Sequence, residues 1–162
     1  MSATGLDVFD RTIHLTNAWL DEIIDWLEET PSSVPRDKHA AWHALGAVLR
    51  ALRDRVPLEL AAHLGAQLPL LVRGTYYDQW RPSETPQRWR TAEEFVAVIA
   101  ADLGSLGIVT LDDTADAADA VFRTLNHHVD PGQVAKIRHA LPEDIRALWP
   151  ETNEQRRRTR AA

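Results

Sequence analysis

The chain writes one passage twice. Leu64 to Arg73 reads LGAQLPLLVR and Ile137 to Arg146 reads IRHALPEDIR, and the echo runs on at a constant shift of 73 positions. Ala47, Val48, Arg50, Leu52, Val56, Leu68, Pro69 and Arg73 recur as Ala120, Val121, Arg123, Leu125, Val129, Leu141, Pro142 and Arg146, with no gap inside the span. Self-similarity at a fixed spacing means one supersecondary unit built twice, which restricts the fold more than composition does.

Periodicity tells what that unit is. From Asp7 to Glu29 apolar residues fall at Phe9, Ile13, Leu20, Ile23, Ile24 and Leu27, one stripe of a helix with 3.6 residues per turn, so all six are expected to face inward. Pro31 and Pro35 end it. A second helix is expected from about Asp37 to Arg55, with Leu45, Val48, Leu49 and Leu52 inward and Arg50, Arg53 and Arg55 outward. Val56-Pro57 and Leu68-Pro69 then each read as the start of a short helix, because proline lacks only an N–H that a first turn would leave unpaired. The later half follows the same plan. Thr91 and Glu94 form a capping box that opens a helix closed by Gly104 and Gly107, and Asp112 can cap the next, which runs to His128. Asp130-Pro131 and Leu141-Pro142 open two more, and Pro150 stops the last after Ile145, Leu148 and Trp149. The opening helices align at a shift of 76, with Trp19, Ile23 and Leu27 against Phe95, Ile99 and Leu103. Nothing alternates with a period of two. The expected fold is all-α: two tandem helical repeats, each of two longer and two short helices, packed into one compact bundle. The divisions are 1–80 for the first repeat, 81–90 for a proline-rich joint, 91–150 for the second repeat and 151–162 for a disordered polar tail. A half of this size is near the lower limit for folding alone, so the halves are expected to pack on one another.

The motifs LGAQLPLLVRGTYYDQWRP and IRHALPEDIRALWP resemble a bacterial domain-of-unknown-function family, number 2267, over nearly the whole chain. The resemblance implies a small helical cytoplasmic protein and brings no functional residues with it. Ala140 stands where that family more usually has Gln before Leu-Pro, so a role for Gln67 does not extend to both halves.

Composition narrows the function classes. The formal charge is −6, and four of the 18 basic residues lie after Pro150 with only two of the 24 acidic ones, so the body is more acidic still and should repel nucleic acid and anionic membranes. There is no Cys, which excludes disulfides, thiolate chemistry and Cys-ligated zinc. The start MSATGLDVFD has neither a basic nor an apolar leader region, so the expected location is the cytoplasm, and the longest apolar-leaning run is too short to span a bilayer.

No catalytic residue and no cofactor is assigned. His39 and His43 have ligand spacing on one helix face, yet two ligands do not make a metal site, and His127 with His128 reads as a favourable pair of imidazoles at a helix C-terminus. No Ser sits in a nucleophile elbow, the seven Gly are scattered, and Asp21 with Asp25 reads as a solvated helix face. Arg73 and Arg146, kept in both copies, are expected to cover core with their stems and to reach a carboxylate or helix-end carbonyls of the same half, the alternative being an anion site between the halves. Leu68, Pro69, Leu141 and Pro142 are the repeat anchors. Tyr76, Tyr77 and Trp80, with Trp89 beyond the joint, form an aromatic run without a counterpart in the second half; it either plugs the seam or contacts a partner. The first reading of function is therefore a non-catalytic module for protein interaction or self-association, with Tyr76, Tyr77, Trp80, Trp89, Arg73 and Arg146 as the candidate contact or ligand seam. The alternative is a small-molecule or metal-binding protein, or an enzyme, with its pocket at that seam.

Overall fold

The computed structural model describes residues 3–107, 110–152, 157, 160 and 161, and among them every regular element is helical. The order is α1 (Asp7–Glu28), α2 (Lys38–Arg55), α3 (Leu58–Ala66), α4 (Leu70–Tyr77), α5 (Ala92–Asp102), α6 (Leu111–His128), α7 (Pro131–Ala140) and α8 (Glu143–Arg146). The starts of α2, α3 and α4 return 73 positions later as the starts of α6, α7 and α8. No helix among the described residues is long and apolar enough to cross a membrane. The polar tail falls largely outside the described residues; Arg157, Arg160 and Ala161 are helical, and the two Arg are exposed.

α2 and α6 pack on each other at the centre. α1 lies across both of them and so does α5, while α3 meets α7 and α4 fills the angle between α1 and α2. One apolar core runs through both halves, from Trp19, Ile23 and Leu27 on α1, through Leu45, Leu49 and Leu52 on α2, to Phe95, Ile99, Phe122, Leu125 and Trp149. Small residues let the central helices approach: Ala44, Ala47 and Ala51 on α2 and Ala117, Ala118 and Ala120 on α6 are all buried. Leu68 and Leu141 are each 2% exposed, as equivalent anchors should be.

Local chemistry sets the helix ends. Asp37 caps α2 through the Ala40 N–H, and Thr91 and Glu94 form a reciprocal capping box on α5. Gly107 takes a left-handed conformation (φ 69°) just after the turn that follows α5. Asp112 does not cap α6. Thr110 does, two positions earlier, accepting from the Asp113 N–H, while the Asp113 carboxylate accepts from the Ser33 N–H and the Ser32 hydroxyl and so ties α6 to the loop between α1 and α2.

Two inward assignments need correcting. Phe9 and Ile13 are 48% and 41% exposed, because the first turns of α1 reach past the helices that cover the rest of its stripe. Arg53, expected to face outward, is 5% exposed. Its guanidinium donates to the carbonyls of Tyr76 and Asp78 at 2.7 and 3.0 Å and pairs with Asp54, so a polar head inside the fold is satisfied at both edges.

These carboxylates give the fold a pH response. The Ser33 N–H, then the Thr110 hydroxyl, hold Asp113 below the usual carboxylate range, and the Arg90 and Thr91 N–H groups do the same for Glu94. Depressed groups contribute stability that is present at neutral pH and lost as pH falls through their folded pKa. Asp116 acts in the opposite sense: burial raises its pKa, so its contribution is full in acid and is lost as pH rises. The expected net outcome is a melting temperature that falls on acidification below about pH 4. Asp113→Asn, which keeps an acceptor oxygen, should flatten that fall; an unchanged acid slope would mean the contacts at Asp113 do not matter to stability.

Candidate functional site

The aromatic run begins inside the core. Tyr76 is fully buried, and its hydroxyl donates to the Ala61 carbonyl at 2.5 Å across the α3–α4 hairpin, an environment that pushes its ionisation above the ordinary tyrosine range. Tyr77 is half-buried, 4.9 Å from Tyr76 in an edge contact and 5.5 Å from the half-buried Trp80. Gly65 makes room for Tyr77, since a Cβ there would come within 2.1 Å of the phenol oxygen. Trp89, also half-buried, lies 6.3 Å from Phe95, and its carbonyl accepts from Arg55 at 2.6 Å. Of the run, Tyr76 alone meets an aromatic residue at the shift of 73, since Pro150 and Asn153 stand opposite Tyr77 and Trp80. Trp149, 73 positions after Tyr76, is equally enclosed and stacks on Phe122 at 4.6 Å. One slot holds two different aromatic residues, which is why a comparison of identities misses it.

Arg73 and Arg146 make the same contacts in the two halves. Arg73 donates to the carbonyls of Gly65, Ala66 and Leu68 at 2.9, 3.2 and 3.0 Å, and Arg146 to those of Arg138, His139 and Leu141 at 2.8, 3.2 and 2.9 Å. Each guanidinium thus caps the C-terminal carbonyls of the preceding short helix, where a helix carries partial negative charge. Pro69 and Pro142 occupy the N-cap positions of α4 and α8. Gln67 has a role without an equivalent: its side-chain oxygen accepts from the Asp130 N–H at 2.9 Å, joining α3 to the start of α7.

Two grooves flank the central pair. One, of about 600 Å³, lies between α2, α5 and the end of α4, and its lining includes His43, Arg50, Arg53, Asp54, Asp78 and Asp102. The other, of about 330 Å³, is lined by Trp26, Arg123, Asn126, His127, Pro150, Glu151 and Thr152. Arg50, Arg53, Asp54 and Asp78 stand 73 positions before Arg123, Asn126, His127 and Glu151, so the grooves occupy the same place in the two halves. The contents differ. Arg50 is held by Asp102 at 2.9 Å and Thr75 at 2.7 Å, whereas Arg123 pairs with Asp119 and lies over the Trp26 ring at 5.3 Å. Arg53 ties the end of α4 to α2; Asn126 ties Trp149 and Pro150 to α6 with bonds of 2.8 and 2.7 Å.

The histidine pairs diverge. His39 and His43 meet edge to face at 4.6 Å on α2. His127 and His128 do more than sit at a helix terminus: Glu22 of α1 receives His127 Nδ1 on one oxygen at 2.8 Å and His128 Nε2 on the other at 2.5 Å, and the His128 ring stacks on Trp19 at 4.8 Å. Their separation in the chain hides this cluster from any reading of local spacing.

A last feature lies at the far end of α1. Of the nine large apolar side chains that are exposed among the described residues, Leu6, Val8, Phe9, Ile13 and Leu15 belong to the start of α1, and Leu70 and Leu71 to the start of α4. The Leu71 N–H donates to the Thr12 hydroxyl at 3.2 Å, which brings the two sets together.

An all-helical bundle with a continuous core, Arg-capped Leu-Pro turns and paired grooves is the class that the geometry defines. The chain belongs to the family described as an uncharacterized conserved protein (DUF2267), whose model matches residues 16–148. A search of curated proteins finds no match to it.

Proposed function

We propose that the protein is an interaction module built from two copies of one helical unit, and that it docks a protein partner on the apolar end formed by α1 and the start of α4. The observation that carries this reading is the course of the α1 stripe. Phe9 lies one turn before the buried Thr12 and continues the face of Thr16, Trp19, Ile23 and Leu27 beyond the last helix that covers it, flanked by Val8, Ile13, Leu70 and Leu71. Single exposed apolar residues are ordinary, whereas a contiguous set marks an interaction surface. The repeat reading supports the same point. The positions 73 after Leu70 and Leu71 are Glu143 and Asp144, and the equivalent helix α5 starts too late to form such a ridge, so this apolar end is an addition to one copy alone.

The test pairs affinity capture of the tagged protein from its host with light scattering of the pure protein across a concentration series. The Phe9→Glu, Leu71→Glu double variant should keep the helical circular dichroism spectrum and lose the captured partner, or the dimer if the partner is a second copy. Unchanged partners and unchanged mass in the variant would discard this surface as the contact.

A further inference from the structure

The geometry points to a binding site for a divalent transition-metal ion of the zinc type, held by Glu22, His127 and His128. The three side chains offer one carboxylate oxygen and two imidazole nitrogens, and these ligand atoms all lie within 4.8 Å of one another. Two imidazoles with one carboxylate are a donor set that suits zinc and its neighbours and disfavours calcium or magnesium, which take oxygen. Tetrahedral zinc at about 2.0 to 2.1 Å from its ligands sets them about 3.3 Å apart. The two hydrogen-bonded pairs, at 2.8 and 2.5 Å, therefore need to open by about 0.5 and about 0.8 Å to admit the ion, while the remaining separation closes.

The site is arranged before any ion arrives. Glu22 is 19% exposed and has both oxygens committed to the two rings; His128 is fixed against Trp19. Each ring nitrogen already faces a carboxylate oxygen at hydrogen-bond distance. His127, 72% exposed, closes the set from the solvent side, so water completes the coordination. The consequence is mechanical as well as chemical. Glu22 is on α1 and the two histidines end α6, so the ion would clip a helix of the first half to a helix of the second. The corresponding positions beside the other groove are Val98, Asp54 and Arg55, which cannot form the same donor set, so a single ion per chain is expected.

The full chain, without a histidine tag and stripped with a chelator, is titrated with Zn²⁺ by calorimetry and followed by thermal unfolding. The expected result is about one equivalent bound and a rise in melting temperature, because an ion that binds only the folded chain stabilises it. His127→Ala, at a site exposed enough to leave the fold intact, and Glu22→Gln should each weaken binding by at least about tenfold, since even residues that merely orient a ligand cost about 10 to 100-fold when removed. His43→Ala, which disrupts the other histidine pair, should leave the isotherm unchanged. Absence of binding and of a thermal shift in the wild type overturns the assignment, and so does binding that persists in His127→Ala or vanishes in His43→Ala.

Discussion

Trp149→Ala should remove about 3 to 5 kcal/mol of stability, the range for deleting a large aromatic side chain from a core. The residue is 1% exposed, stacks on Phe122 at an interplanar angle of 14° and donates from Nε1 to Asn126. Deleting it opens a cavity between α6 and the segment after α8, and it strands the Asn126 oxygen. A domain of this size holds only about 5 to 15 kcal/mol in total, so the variant should unfold at a much lower urea concentration than the wild type. Tyr76→Ala should behave alike, because Tyr76 fills the matching slot and its loss also removes the hydroxyl that donates to the Ala61 carbonyl. A denaturation midpoint near the wild-type value for either variant would show that the slot is not core. The same reasoning changes what a polar substitution at Tyr76 would report, namely destabilisation rather than detachment of a partner.

The second large effect concerns the Leu-Pro anchors. Leu68→Ala and Leu141→Ala should each cost about 2 to 5 kcal/mol in urea denaturation, and by similar amounts, since both side chains are equally enclosed and both sit in an Arg-capped turn. Because one core joins the halves, each variant should still unfold in a single transition. A loss near zero at one leucine, or a biphasic curve, would mean that the turns are not equivalent supports of one cooperative structure.

Much of this fold is legible in the chain because its signals are local. Helix period, the Thr91/Glu94 capping box and the prolines that open short helices each act over a few residues, and they place the helices close to where they lie. The errors arise where distant parts decide. Phe9 and Ile13 have the right period for burial, but periodicity cannot say where the covering helices stop. Arg53 looks like surface because it is charged, yet the carbonyls that satisfy it come from Tyr76 and Asp78 at the end of another helix. Asp112 is the better cap by residue type, yet α6 is capped by Thr110, and Asp113 then reaches across to Ser33. The cluster of Glu22 with His127 and His128 could not be foreseen, since nothing near either segment in the chain refers to the other. The match of Tyr76 with Trp149 is legible in size and aromaticity but not in residue identity.

The way α1 and α5 lie has a topological consequence. Each half's first helix covers the other half's second helix as well as its own, so the two halves are clasped like hands and not stacked like beads. The stretch between α4 and α5 then works as a tether that keeps two complementary pieces at high local concentration. A chain with that tether too short to let its own halves close could satisfy every contact by exchanging them with a second chain, giving a reciprocal dimer with the same core. Monomer and exchanged dimer would differ in connectivity alone, and it is the length of the tether, an otherwise featureless property, that selects between them.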